Sequence, residues 1–148
     1  MIISGPDGVT HINIYSKAET EVGKWLSNFS YTPIRLPGEG SFLCIEAYWY
    51  WLLTKDERLR GLRGISAKHL GKSLKSKHKP IDGFEDKIKK AIDIKLKSNL
   101  DLCRVLCTSN LPLCHYFTYE DKRVDAGYEW ITEHIEERRK LLRDYFNK

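Results

Sequence analysis

The sequence predicts a mainly α domain with a small β-hairpin and short strands, and three observations carry that expectation. After residue 44 apolar side chains recur at helical spacing, as in Phe84, Ile88, Ala91, Ile92 and Leu96. Before it, Gly5, Pro6, Gly8, Gly23, Pro33, Pro37, Gly38 and Gly40 break the chain into pieces that suit turns and short strands. At 148 residues the chain fits one domain with a sizeable core, residues 1–148, and is short for two.

Ile2-Ile3-Ser4, a Gly-Pro-Asp-Gly turn and residues 9–15 form the expected hairpin. A second short strand, Ile34-Arg35-Leu36, is expected to pair with it. The first helix begins near Cys44 and runs through Trp51 and Leu53, and a second covers residues 55–62. Ser66 is placed to cap a short helix reaching Ser73, and residues 74–81 follow as a basic loop. Asp82 with Glu85 three positions on is a capping signal for the helix that carries the Phe84–Leu96 stripe. Residues 100–107 continue as another helix. The aromatic-rich residues 113–119 make a short strand. The last helix runs from Tyr128 to about Phe146, with Ile131, Ile135, Leu142 and Tyr145 on one face.

Hydrophobic content of 41% and charged content of 30% exclude a disordered chain and match a globular one. The longest apolar run, residues 47–53, has seven members, far below the roughly 18 of a membrane span. No signal-peptide pattern opens the sequence, so a cytoplasmic monomer without membrane contact is the expectation. Cys44, Cys103, Cys107 and Cys114 are read as buried free thiols. A site of three cysteines with His115 would need a spacing that no zinc ribbon or finger shows. The net charge of +5 is concentrated: residues 58–79 hold three Arg, five Lys and two His, with no acid. Such a segment faces an anion, a phosphate ligand or a nucleic acid, or else is a solvated basic loop.

Glu46 is the only charge between Ser41 and Leu53, in a run that includes Tyr48, Trp49, Tyr50 and Trp51. A carboxylate there is either a helix-start charge, favoured by about 0.3–1 kcal/mol, or a desolvated group suited to acid–base work. Ser27 and Asn28 lie between Trp25 and Phe29; they serve a turn or cap, or they hold a ligand. Trp49, Tyr50 and Trp51 belong to a core, or stack a base. Lys95 falls at the margin of its helix's apolar stripe, where it snorkels to solvent, holds a phosphate or acts as an amine nucleophile. His115 on an aromatic strand is read as a hydrogen-bonded structural histidine.

The order of several short boxes then resembles one family. Ile12-Asn13-Ile14-Tyr15-Ser16, Leu26-Ser27-Asn28-Phe29 and Cys44-Ile45-Glu46-Ala47-Tyr48 are similar to the opening of the NADAR (YbiA-like) family. Ala67-Lys68-His69-Leu70-Gly71-Lys72, Ile92-Asp93-Ile94-Lys95-Leu96 with Asn99, and Leu106-Cys107-Thr108 continue the match, which covers roughly residues 11–143. The resemblance implies a compact multi-helical fold that cleaves N-glycosidic bonds. It implies removal of ADP-ribose from guanine in DNA or RNA, or cleavage of phosphoribosylamino-pyrimidine intermediates of the riboflavin pathway, with no cofactor or metal. Under it Glu46 is the catalytic carboxylate, Asp125 a second one and Lys95 a third catalytic group. Ser27, Asn28, Phe29, Trp49, Phe84, Lys68 and Lys72 bind the substrate. Departures are visible: Phe84 stands where the family has tryptophan, and Cys114-His115 where it has a valine-glutamate pair. A Trp-Gly loop is reduced to Val124-Asp125-Ala126-Gly127, and Glu129-Trp130-Ile131-Thr132 replaces the family's Asn-x-Leu-Gly. A non-catalytic module binding ADP-ribose or nucleic acid, and a sulphur-rich metal-binding regulator, are the rival expectations.

Overall fold

A computed structural model describes residues 2–147 of the chain. In order, the elements are β1 (Ile12–Asn13), α1 (Glu21–Leu26), β2 (Ile34–Leu36), β3 (Gly40–Phe42) and α2 (Ile45–Thr54). A 3-10 turn (Glu57–Gly61), α3 (Gly64–Ser73), a second 3-10 turn (Lys75–Lys77) and α4 (Phe84–Ser98) follow. The chain ends with α5 (Leu100–Thr108), β4 (Leu113–Cys114), β5 (Tyr116–Tyr119), β6 (Lys122–Asp125) and α6 (Glu129–Phe146). The fold is mainly α, as the sequence predicts. Among the described residues no helix is long and apolar enough to cross a membrane. The elements gather into two compact units, Met1–Ser27 with Asn99–Lys148, and Asn28–Ser98.

The first unit corrects the expected N-terminal hairpin. The Gly-Pro-Asp-Gly turn forms, with the amides of Val9 and Thr10 both donating to the Pro6 carbonyl. The chain then enters β1, which pairs in parallel with β4, Ile12 opposite Leu113 and Asn13 opposite Cys114. Two side chains dictate this. The Asp7 carboxylate accepts from the amides of Asn13 and Glu19. The buried Asn13 amide donates to the Tyr116 carbonyl and accepts from its N–H, both at 2.9 Å. A partner a hundred residues away leaves no trace in local spacing.

The same unit shows why the last helix departs from its expected stripe. Ile131 and Ile135 are buried, but Leu142 is half-buried and Tyr145 is 63% exposed. Arg139 is buried instead, paired with Glu136 and donating to the Leu111 carbonyl. Arg143 donates to the carbonyls of Cys107 and Ser109. The last carbonyls of a helix lack intrahelical partners, and α6 satisfies those at the end of α5 with arginines rather than covering them with apolar groups. Cys103, Cys107 and Cys114 are buried and free, as is Cys44 in the other unit.

In the second unit β2 pairs with β3, antiparallel, and not with the N-terminal strand as expected. Lys55 takes a left-handed backbone conformation at the end of α2, and the expected second helix shrinks to the 3-10 turn after it. α3 starts at Gly64, whose φ of 57° turns the chain into the helix. Ser66 is therefore an exposed first-turn residue and not the cap. Gly71 is the contact point between α3 and α2: a Cβ there would fall inside the Tyr50 ring. α4 buries Ile88, Ala91, Ile92 and Leu96, as its period predicts, and also Lys95.

Candidate active site

The start of α2 and the loop before β2 form the framework. Cys44 is the N-cap of α2 and Glu46 lies in its first turn. Its amide donates to the Asn28 carbonyl at 2.9 Å, which fastens the residue 28–32 loop to the helix start. Further along that loop Ser30 Oγ accepts from Lys95 Nζ at 2.9 Å and lies 3.2 Å from Thr32 Oγ1. The Thr32 amide in turn donates to the Leu43 carbonyl. The loop is thus tied at one end to Glu46's backbone and in the middle to Lys95's side chain.

Glu46 is half-buried. Desolvation drives its carboxyl up to about 7, against the pull of Lys68 and Lys72 on α3. A helix N-terminus and two cations would ordinarily hold a carboxylate ionised; the loss of water outweighs them. Lys68 lies with its ammonium 5.6 Å from the centre of the Phe29 ring. Trp49, one turn after Glu46, meets Phe84 edge-on with ring centres 4.8 Å apart. Asn28, Phe29, Trp49 and Phe84 are all half-buried and Lys72 is exposed. Among the sequence-predicted residues, this unit therefore groups Asn28, Phe29, Glu46, Trp49, Lys68, Lys72, Phe84 and Lys95.

Lys95 is the main surprise in this group. At 1% exposed it does not snorkel from the margin of its stripe. Burial lowers its ammonium to about 7, with the nearby Cys44 thiol acting the other way. The burial of Cys44, at 0% exposure, raises that thiol in turn. Sequence reasoning did not find Ser30 or Cys44 as its neighbours. The signal available was the polar run Ser27-Asn28-Phe29-Ser30, whose final serine extends the box that the resemblance recognises.

Ser27 and Asp125 belong to the other unit. Ser27 is buried and closes α1, its amide donating to the Lys24 carbonyl. Asp125 ends β6 exposed, and the Gly127 amide donating to Oδ1 at 2.7 Å keeps its carboxyl below the usual range. Such a group is ionised at neutral pH and can stabilise a positive charge but not supply a proton. His115, beside it, departs from the expected hydrogen-bonded histidine. Its Nδ1 is buried without a hydrogen-bond partner, and burial lowers its imidazolium. Asp125, His115, Glu129 and Glu133 line a cavity of about 210 Å³. Of the aromatic run, Tyr50 and Trp51 are core: Tyr50 packs on Gly71, and Trp51 lies against Phe42 under the Lys55 ammonium.

No family profile matches the chain and no curated protein matches it in sequence. The NMR structure of the E. coli protein YbiA does match it in three dimensions, with a TM-score of 0.65 and 21% identity. The match covers 90% of this chain and 89% of that one. In fold this chain is similar to YbiA. The YbiA-like fold agrees with the resemblance drawn from the ordered boxes, while the chemistry rests on the side chains described above.

Proposed function

We propose that the chain is an N-glycoside hydrolase that removes ADP-ribose from modified guanine in nucleic acid, DNA above all. The observation that carries this reading is Glu46: a half-buried carboxyl titrating near 7, with Lys68 and Lys72 acting on it and the Phe29 ring beside Lys68. Breaking a ribosyl C–N bond sends the bonding electron pair to the base and leaves oxocarbenium character on the sugar carbon. Protonated Glu46 donates its proton to the departing nitrogen. Once ionised, it accepts a proton from the water that attacks the sugar. A group that titrates near 7 does both at neutral pH.

Lys68 and Lys72 suit a pyrophosphate. Phe29, Trp49 and Phe84 offer stacking surfaces, and Asn28 offers hydrogen bonds for ribose hydroxyls or the base edge. Lys95 enters the reading as a group that holds the 28–32 loop through Ser30. With its ammonium lowered to about 7 it is half neutral at that pH and poorly fitted to clamp a phosphate. Asp125 lies in the other unit and has no part in this reading.

The test is incubation with a guanine-ADP-ribosylated oligonucleotide and, separately, with phosphoribosylamino-pyrimidines, followed by mass spectrometry. Release of ADP-ribose with unmodified guanine left in the strand is the expected result. Cleavage of the small substrates alone moves the chain to the riboflavin-type reaction. Binding without release from any of them leaves a non-catalytic module.

A further inference from the structure

Two residues beyond Phe29 on the same loop, Tyr31 is 58% exposed. The guanidinium of Arg63, the N-cap of α3, lies over its ring at 4.4 Å. The pair closely repeats the one beside it, Phe29 with Lys68. An aromatic on the loop is matched each time by a cation on α3, the cations five positions apart. Arg63 has no carboxylate partner among the described residues, whereas neighbouring Arg58 and Arg60 are paired with Asp56 and Glu57. Downstream, Lys72, Lys75, Lys77 and Lys79 are exposed, again without ion pairs among the described residues.

A large aromatic left in water with one face covered by a guanidinium stabilises the fold little. It is a surface on which a nucleobase stacks, with the cation adding attraction to the base and to its phosphate. Resting on the reading above, the geometry points to Tyr31 and Arg63 as the stacking step for the nucleotide next to the target in a single strand, with the basic 58–79 segment tracking the backbone. A duplex keeps its base faces stacked on one another and offers this step nothing.

Binding of a fluorescein-labelled, unmodified single-stranded oligonucleotide, read by anisotropy, tests the step without requiring catalysis. Tyr31→Ala should weaken it about tenfold, the scale of one base–aromatic stack. Tyr31→Phe should restore it, and the duplex of the same sequence should bind more weakly and ignore the substitution. Unchanged single-strand affinity in Tyr31→Ala, or equal loss on the duplex, overturns the proposal. On modified substrates, Tyr31→Ala should lower kcat/KM for an ADP-ribosylated oligonucleotide and spare the ADP-ribosylated nucleoside. Equal loss on both would assign the ring to the adenine of ADP-ribose and also overturn it. Should the wild type cleave neither, the hydrolase reading fails while the binding result still decides the stacking step.

Discussion

The two units differ in where desolvation shifts a charged group to near neutrality. In the unit of Met1–Ser27 and Asn99–Lys148, several buried polar groups end in tight protein contacts. His11 meets the Tyr116 hydroxyl at 2.6 Å, Asn13 closes on the Tyr116 backbone, and Arg139 is held by Glu136 and a carbonyl. In the unit of Asn28–Ser98, desolvation pulls a carboxyl and an ammonium toward the same value near 7. The charges divide likewise: 15 basic and 8 acidic side chains in the second unit, 10 and 12 in the first. A unit that locks its polar groups gains a single rigid arrangement. The second unit carries a net charge of +7, the difference of its two counts, a field that attracts anions.

The sharpest way to break this contrast is Glu46→Gln. Turnover should fall by about 10²-fold or more with little change in melting temperature. The decline of wild-type kcat/KM above pH 7, where Glu46 loses its proton, should vanish with it. A variant that turns over at the wild-type rate reduces Glu46 to a helix-terminus charge.

Next comes Lys95→Met, which should stabilise the fold while impairing activity. The folded ammonium titrates near 7 and the unfolded one near 10.5. Below 7 both states hold the proton and the burial penalty is complete. Between 7 and 10.5 only the unfolded state holds it, so stability rises with pH, and above 10.5 the penalty is gone. Denaturant titration should thus show a gain on the order of 2–4 kcal/mol at pH 6, shrinking toward pH 10. A gain independent of pH would mean that the lysine is buried without cost to its charge. Borohydride trapping of a sugar on Lys95 during turnover would make it a nucleophile; no adduct leaves it as the anchor of Ser30.

Asn13→Ala should have the reverse profile, costing about 1–3 kcal/mol because the Tyr116 amide and carbonyl lose their partner. Turnover of the remaining folded protein should stay at wild type, and a loss there would carry the site into the first unit. The smallest effect expected is that of Asp125→Asn, which should leave kcat/KM and its pH profile at wild type. A hundredfold loss would restore it as a full catalytic partner.

Much of the second unit was legible in the chain. Glu46 announced itself as a lone charge among aromatics, and the Ile88–Leu96 stripe located α4. Capping and turn residues marked β2 and the helix starts within a few positions, because these are local properties of backbone and side chain. Lys95 was misplaced for a physical reason: spacing puts a residue on a helix face but does not say how high the neighbouring elements pack over it. Here Ser30 of the 28–32 loop and Cys44 at the start of α2 lie against the lysine. The β1–β4 pairing was out of reach because parallel strands record no partner in their own sequence. Nothing in the spacing of Arg139 and Arg143 records that the open carbonyls at and just after the end of α5 lie beside them. By itself the sequence determined a mainly helical chain, its charge asymmetry and the boxes that hold Glu46. Only the tertiary structure decided which ionisable groups lose their water, since desolvation is a property of everything packed around a side chain.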